Sequence, residues 1–171
     1  MITEAICRVR PLTENDLMML LSWRNHPDVR RHMFNSQMIT LEEHKKWFYS
    51  ALDDSYRNLL AFEISGVPRG FVQLTFNTTR QLATWGFYVA PDAPRGTGGQ
   101  LGRSAITYAF QELALHKLFG QVLAGNERSI RLHQSLRFHT EGVLRDHHFD
   151  GAQYHNVVCF GLLRAEWTTT S

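Results

Sequence analysis

Apolar and polar positions along the first third of the chain follow the pattern of helices with capped starts. The segments that begin at Thr13 and Thr40 are capping-box patterns, and each precedes a helical repeat of apolar residues. The first helix should run to about Arg24, and residues 25–39 are expected to form a loop with a short helical turn after Pro27. The second helix carries on one face Leu41, His44, Trp47, Phe48 and Ala51.

The rest of the chain alternates strand-like and helical patterns. Helices are predicted from Leu101 to Leu113 and over 127–135, a loop over 91–99, and turns at 66–70 and Asp150-Gly151. The strand-like segments are 6–11, 59–65, 71–77, 83–89, 118–123, 138–143, 144–149 and 154–163. This order predicts an α/β domain with a mixed sheet, and the hairpins argue against a doubly wound parallel sheet.

Length and composition narrow the class of protein. A chain of 171 residues is expected to form a single domain over 1–171. Its net charge of +2 is too small for binding nucleic acid through bulk charge. No apolar run reaches the ~18 residues of a membrane span, and no secretion signal is recognised. Two cysteines, Cys7 and Cys159, make no disulfide framework, so a cytoplasmic location is expected. The polar end, 168–171, should fray.

The stretch 93–102, read Ala-Pro-Arg-Gly-Thr-Gly-Gly-Gln-Leu-Gly, lies between a predicted strand and a helix. Glycines let successive backbone N–H groups turn toward one point, and the helix start adds partial positive charge. Arg95 adds a forked donor, so the stretch predicts a pyrophosphate site. The Lys-Ser/Thr pair of P-loop NTPases is absent, and the spacing is wrong for a dinucleotide fingerprint.

Two segments resemble the GNAT superfamily of acetyltransferases. Residues 95–100 are similar to its Arg/Gln-x-x-Gly-x-Gly/Ala motif, with Gln100 where Gly or Ala is usual, and 126–138 are similar to its Asn-x-x-Ser…Tyr…Gly-Phe segment. The resemblance implies a GNAT fold with a mostly antiparallel sheet, a splayed central strand pair, and acetyl-CoA as co-substrate. The cofactor-binding residues it implies are Phe87, Tyr88, Val89, Arg95, Gly96, Thr97, Gly98, Gly99, Gln100, Gly102, Asn126, Arg128 and Ser129.

The same resemblance assigns catalytic positions, and this chain departs from the family at two of them. His133 stands where a Tyr usually protonates the leaving thiolate; an imidazolium with a pKa near 6.5 is a plausible acid, and a packed, carbonyl-capped His is the alternative. Gln121 stands where some relatives carry a Glu base and cannot accept a proton. The base is then another group, with His44, His32 and Glu63 as candidates, or a water chain, or no base is needed. A backbone N–H near Tyr88 or Val89 would stabilise the thioester oxygen.

The acceptor side is predicted from residues 23–48. Read alone, their aromatic residues fit a core and their arginines a solvated face, but arginine forks beside rings also suit a nucleotide. The pattern resembles acetyltransferases of pseudaminic acid synthesis, which modify the 4-amino group of a UDP-linked amino-dideoxy sugar used in flagellin glycosylation. The resemblance implies direct attack of that amine and an acceptor site of Arg24, Arg30, Phe34, His44, Trp47, Gln73, Thr75, Asn77 and Trp85.

Alternatives to this interpretation remain at the level of sequence. An N-terminal acetyltransferase of the ribosomal-protein type would need an open peptide groove, and a non-catalytic CoA-binding module would suit the changes at positions 121 and 133. His147, His148 and His155 flank the last hairpin, but neighbours on a strand face opposite ways, so no metal is expected. The expected partner is a small amino-sugar nucleotide, with no nucleic acid or membrane; the sequence allows a homodimer.

Overall fold

Seven strands form one mixed sheet in the order β1-β2-β3-β4-β5-β7-β6 in a computed structural model that describes residues 5–167. All neighbouring pairs are antiparallel except β4 and β5. The polar end predicted to fray, 168–171, lies outside the described residues. The strands are β1 (Cys7–Pro11), β2 (Arg57–Ile64), β3 (Val67–Phe76), β4 (Leu82–Val89), β5 (Lys117–Leu123), β6 (His139–Phe149) and β7 (Tyr154–Leu163).

The helices lie between the strands where the apolar periodicity predicted them. A 3₁₀ turn, Glu14–Asp16, precedes the first helix, and a π-helical turn, Tyr108–Glu112, extends the fourth. Both predicted capping boxes are confirmed, at Thr13 and Thr40. The helices are α1 (Leu17–Asn25), α2 (Pro27–Arg30), α3 (Leu41–Asp53), α4 (Thr97–Thr107), α5 (Glu127–Ser135) and α6 (Arg164–Trp167).

The central strand pair separates soon after it forms. β4 and β5 are paired over three positions only, Leu82–Thr84 against Lys117–Phe119, and they diverge beyond them. The rest of each strand keeps its antiparallel neighbour, β3 or β7, so the sheet remains continuous on both sides of the gap. The predicted splay is therefore confirmed, and it opens a cleft in the middle of the sheet.

Apolar side chains cover both faces of the sheet because successive strand residues point to opposite sides. Leu60 and Phe62 of β2 belong to the cluster that includes Leu101 and Ile106 of α4. Leu59 and Ala61 of β2 belong to a second cluster with residues of α1 and α3. Each fully buried side chain of this kind contributes roughly 1.5–3 kcal/mol, so both clusters hold the helices beside the cleft.

The turn predicted over 66–70 is shorter than expected. Ser65 and Gly66, both with positive φ, form a two-residue turn, as a type I′ hairpin requires, and β3 starts at Val67. Pro68 lies inside the strand because Glu63 pairs with Pro68 and Phe62 with Gly70, which leaves Arg69 as the extra residue of a bulge. The composition of the segment was typical of a turn, and the bulge accounts for the difference.

Two other predicted boundaries differ from the structure. The segments 138–143 and 144–149 form one strand, β6, whose register is interrupted between Thr140 and Gly142 and between Leu144 and His148. These irregularities break the alternation that would have shown a single strand. The predicted loop 91–99 also ends early, because α4 begins at Thr97 with Gly96 as its N-cap at φ +88°.

Candidate active site

Three adjacent cavities, which share lining residues, surround the point where β4 and β5 separate. We call them the donor cavity, about 140 Å³, the central cavity, about 130 Å³, and the acceptor cavity, about 440 Å³. Phe87 of β4 and Met33 of the loop after α2 line all three. A ligand that enters from the donor side therefore meets one that enters from the acceptor side beside these two residues.

The donor cavity lies between the end of β4 and α5. Asn126 caps α5 by accepting a hydrogen bond from the Ser129 N–H at 3.2 Å, which fixes the start of the helix at the cavity wall. Seven of the predicted cofactor residues line this cavity: Phe87, Tyr88, Val89, Gly98, Asn126, Arg128 and Ser129. Strand, helix start and glycine are thus together on one side of the cleft.

The glycine segment before α4 uses some of its N–H groups to build its own turn. Thr97 donates through its N–H and its hydroxyl to the Pro94 carbonyl, and the Gly99 and Gln100 N–H groups donate to the carbonyl of Gly96. Within residues 5–167 the Gly98 N–H has no recorded backbone acceptor, and Gly98 lines the donor cavity. Gly98 is therefore the backbone donor best placed for a phosphate.

Other predicted cofactor residues lie away from the donor cavity. Arg95 and Gly96 are exposed in the loop, Thr97 is buried, and Gly99 lies beside the Arg103 guanidinium. Gln100 lines a separate cavity near β1. A Cβ on Gly102 would be 2.4 Å from the Leu136 side chain, so Gly102 lets α4 pack against the end of α5.

His133 is a buried hydrogen-bond acceptor, and this arrangement does not favour the general acid expected from the sequence. The Trp85 indole N–H donates to its Nε2 at 3.1 Å, and an indole nitrogen cannot accept, so Nε2 carries the lone pair. Nδ1 is 2.8 Å from the Ser129 carbonyl and must donate to it. Burial also lowers the pKa of His133 below its usual range, which favours the neutral ring. The packed, carbonyl-capped alternative is what the structure shows.

Three of the four candidate base positions do not provide a base in the cleft. Gln121 lines the central cavity, but its amide has no proton-accepting nitrogen; it contacts the Cys159 thiol. Glu63 does not line any of the three cavities, and Arg8 and Arg10 both donate to its carboxylate. His32 lines the donor and central cavities, but its Nε2 accepts a hydrogen bond from Arg31 Nε at 3.2 Å, so that lone pair is already occupied.

His44 is the remaining candidate, and it lines the acceptor cavity. Its Nε2 lies 2.9 Å from the Leu17 carbonyl, so Nε2–H donates and Nδ1 carries the lone pair. The ring stacks on Trp47 at a centroid distance of 5.4 Å. Burial is the main reason that the pKa of His44 lies below its usual range, so the ring is neutral at pH 7.

The acceptor cavity has an aromatic wall and a few polar groups. Arg24, His44, Trp47, Gln73, Thr75 and Trp85 line it as predicted from the sequence. The sequence analysis did not assign to it Met33, Ile39, Phe71, Thr84 and Gly86, nor the acceptor-side faces of Phe87 and Tyr88. Alternation indicates Phe71 of β3 and Thr84, Gly86 and Tyr88 of β4, which share a face with Gln73 and Thr75, but it does not indicate Phe87.

Three predicted acceptor residues lie outside the acceptor cavity. Asn77 is in the turn between β3 and β4, where its side-chain oxygen accepts from the N–H groups of Gln81 and Leu82. Phe34 lines the central cavity instead, and it also contacts the His148 ring edge-on at 5.2 Å beside the last hairpin. Arg30 donates to the Ser36 carbonyl at 3.2 Å and so anchors the loop after α2.

Arg24 brings an incompletely paired positive charge to the acceptor cavity. One terminal nitrogen, Nη2, donates to the Asn35 carbonyl, whereas the other, Nη1, is buried without a recorded partner in the described part of the chain. Burial is the largest cause of its lowered pKa, and Arg30 lowers it further. Among the described residues that line this cavity there is no Asp or Glu. The cavity therefore favours a ligand with negative charge over a cation.

The histidines of the last hairpin do not form a metal site with neighbours. His148 and His155 are cross-strand partners with ring centroids 6.5 Å apart, and His155 contacts Asp150 at 2.5 Å. Over residues 5–167 no group of three or more His, Cys, Asp or Glu side chains comes together as a metal centre. No helix in that range is long and apolar enough to cross a membrane.

Comparison with known proteins identifies the class to which this arrangement belongs. Residues 7–139 match the acetyltransferase (GNAT) domain, so the chain is a member of the GNAT acetyltransferase family. It is an N-acetyltransferase that uses acetyl-CoA as co-substrate. The described fold agrees with a crystal structure of spermidine N-acetyltransferase from Vibrio cholerae in complex with CoA and spermine, at a TM-score of 0.87, 22% identity and coverage of 94% of this chain and 97% of that one.

Three curated acetyltransferases are similar to this chain over most of its length. An uncharacterized N-acetyltransferase of Bacillus subtilis, YokL, is 31% identical over 72% of this chain and 71% of its own length. The acetyltransferase PseH of Campylobacter jejuni is 28% identical over 74% and 79%. Spermidine N(1)-acetyltransferase of Escherichia coli is 26% identical over 88% and 82%.

Proposed function

We propose that the acceptor is a UDP-linked amino-dideoxy sugar whose 4-amino group receives the acetyl group, as in pseudaminic acid biosynthesis. The observation that carries the proposal is the Arg24 guanidinium, which lines the acceptor cavity with one buried N–H unpaired and no carboxylate beside it. A diphosphate would pair with that N–H through a charge-assisted hydrogen bond. The relative PseH, similar over most of both chains, supports the same direction.

The main competing acceptor is a polyamine, because spermidine acetyltransferases are among the similar proteins. A polyamine carries several positive charges, which carboxylates, carbonyl oxygens or the faces of aromatic rings can compensate. The acceptor cavity has aromatic faces on Trp47 and Phe71, but its described lining has no Asp or Glu, and it includes the cation Arg24. A second cation next to the incompletely paired Arg24 guanidinium would be repelled, with no carboxylate in the described lining to compensate.

Aromatic rings and short polar side chains suit the remaining parts of the proposed acceptor. Trp47 and Phe71 stand edge to face at 6.1 Å and offer flat surfaces for a sugar ring or a base. Gln73 donates to the Thr75 hydroxyl at 3.1 Å, and both side chains line the cavity from β3. These amide and hydroxyl groups are donors and acceptors of the kind that sugar hydroxyls need.

The transfer proceeds by direct attack in this proposal. The neutral amine forms the C–N bond at the acetyl carbon, the C–S bond breaks, and CoA leaves with the electron pair. The amine proton passes to His44 Nδ1, directly or through water, because His44 is held neutral with Nε2–H bound to the Leu17 carbonyl. Holding both reactants together beside Phe87 lowers the activation free energy of the transfer.

Release of free CoA thiol measured over a panel of acceptors tests the proposal. The panel contains the UDP-linked 4-amino-4,6-dideoxy sugar, the same sugar without the nucleotide, spermidine, and a ribosomal-protein N-terminal peptide. We expect turnover with the sugar nucleotide and a much higher KM for the free sugar, because the latter lacks the diphosphate. Turnover with spermidine or the peptide and none with the sugar nucleotide would contradict the proposal and identify the acceptor class instead.

A further inference from the structure

A buried unit of three residues stands between the central and acceptor cavities. Trp85 of β4 is 4% exposed and lines both cavities, and its indole N–H donates to Nε2 of His133 on α5. Gly120 of β5 lies against the hydrogen bond itself: a Cβ there would be 2.8 Å from the Trp85 Nε1 and 2.9 Å from the His133 Nε2. A side chain at position 120 would therefore force one of the two hydrogen-bonded rings to shift.

Aromatic rings hold the unit on its remaining sides. Trp85 stacks on Phe138 at 5.1 Å with an interplanar angle of 10°, and it contacts Phe87 at 4.5 Å. The His133 ring stacks on Phe160 at 4.8 Å with an angle of 19°. Rotation of the indole would leave a buried N–H without an acceptor, which is unfavourable. Trp85 is consequently fixed as a wall of both cavities.

We propose that His133 is a positioning residue that fixes the Trp85 indole as the wall against which acceptor and thioester meet, with Gly120 providing the space. The function usual for this position in the family, proton donation to sulfur, is then not performed by His133. When the C–S bond breaks, the thiolate leaves with the electron pair and takes its proton from solvent. A thiol is acidic enough to leave as the thiolate in this step, since the side chain of cysteine has a pKa of about 8.5.

The inference depends on the acetyltransferase activity and not on which acceptor is used. It predicts that residue 133 must accept a hydrogen bond from the Trp85 indole. It also predicts that residue 133 need not donate a proton to sulfur. Glutamine offers a side-chain oxygen that can accept from the indole, whereas phenylalanine offers none, and neither can act as an acid. The pair His133→Gln and His133→Phe therefore separates positioning from acid catalysis.

Nuclear magnetic resonance of the indole N–H groups gives a test that needs no acceptor. The chain has four tryptophans, and Trp85→Phe assigns the signal of interest. We expect the Trp85 N–H to exchange with deuterium at least about 100-fold more slowly than exposed indoles, in the parent and in His133→Gln. Exchange should become at least about 10-fold faster than in the parent in His133→Phe and in Gly120→Ala. Gly142→Ala is the matched control, because a Cβ there has no neighbour within 4 Å.

Kinetics with the acceptor that turns over in the panel give the second readout. His133→Phe and Gly120→Ala should lower kcat/KM for the acceptor about 10-fold, with acetyl-CoA affinity by calorimetry within about three-fold of the parent, and His133→Gln should restore most of the loss. A general acid contributes about 10²–10⁴-fold, so equal losses of that size in Gln and Phe variants would overturn the inference. Fast exchange of the Trp85 N–H in the parent would also overturn it. Neither the exchange measurement nor the kinetic measurement requires the sugar nucleotide to be the acceptor.

Discussion

Gly102 of α4 and Leu136 after α5 are in such close contact that a Cβ on Gly102 would lie 2.4 Å from the Leu136 Cδ1. Leu136 is 3% exposed, so its side chain has little room to move aside. This contact sets the spacing of two helices, α4 and α5, which carry Gly98 and Asn126 to the donor cavity.

Substituting Gly102 by Ala should therefore destabilise the protein and weaken the donor site together. Overpacking of this kind costs about 1–3 kcal/mol of unfolding free energy, measured by urea denaturation. We also expect a lower affinity for acetyl-CoA in calorimetry, because α4 must shift. Gly142→Ala, on the exposed strand β6, should show neither effect. Equal stability of Gly102→Ala and the parent would mean that the two helices adapt freely.

Arg10 holds two buried carboxylates, and its removal should be costly. It donates to both oxygens of Asp16 at 2.7 and 2.9 Å and to Glu63 at 2.7 Å, and the two acidic side chains are only 7% and 5% exposed. Arg10→Met leaves them without this partner, and a loss of about 3–5 kcal/mol in unfolding free energy is expected.

The matched control for Arg10 is an exposed ion pair on α5. Arg131 pairs with Glu127 at 3.1 Å, but both side chains are well exposed, at 69% and 76%. Arg131→Met should change the unfolding free energy by less than about 1 kcal/mol, since solvent screens such pairs. Similar losses in both variants would contradict the account of the Arg10 cluster.

Stability should fall when the pH is lowered from 7 to 5. Burial lowers the pKa of both His44 and His133 in the folded state, so the unfolded chain takes up protons below about pH 6.5 while these two rings stay neutral. Their contribution is complete above the unfolded pKa and is lost as the pH falls through the folded pKa. Asp16 and Glu63, with lowered pKa values of their own, act at more acidic pH.

Urea denaturation at several pH values checks this dependence. The double variant His44→Gln/His133→Gln should show a smaller loss of unfolding free energy between pH 7 and pH 5 than the parent. Glutamine keeps one hydrogen bond at each position and has no proton to take up in this range. A double variant with the same slope as the parent would assign the pH dependence to other groups.

Arg24→Gln should raise the KM of the sugar nucleotide and leave acetyl-CoA binding unchanged. A hydrogen bond to a charged group contributes about 1.5–3 kcal/mol, so the KM should rise roughly 10–100-fold in steady-state assays. Arg30→Gln is the control for the loop, because Arg30 anchors Ser36 as Arg24 anchors Asn35 but does not line the acceptor cavity. Equal effects of the two substitutions would mean that loop anchoring alone matters.

Local sequence patterns predicted the helices and strands of this fold better than the irregularities in strand pairing. The bounds of α5 and β7 agree with the sequence analysis, because a capped amphipathic repeat and a run of apolar residues ending in a hairpin are complete local signals. The bulge at Arg69 and the interruptions of β6 depend on the partner strand, so no local pattern shows them.

The sequence predicted which residues lie at the candidate site better than it predicted what each of them does. The sequence brought His133 forward as an acid because of its place in the Asn126-to-Phe138 segment. Its role as an acceptor depends on Trp85, which is 48 positions away, and on the missing side chain of Gly120. Such a unit becomes visible only when three elements are folded together.

A crystal structure with CoA and the UDP-linked amino sugar would test the central claim most directly. We predict the CoA diphosphate at the N–H of Gly98 and the acceptor diphosphate within hydrogen-bond distance of the Arg24 Nη1, with the sugar amine pointing to the junction beside Phe87. An acceptor seated elsewhere, with Arg24 Nη1 still unpaired, would contradict the account.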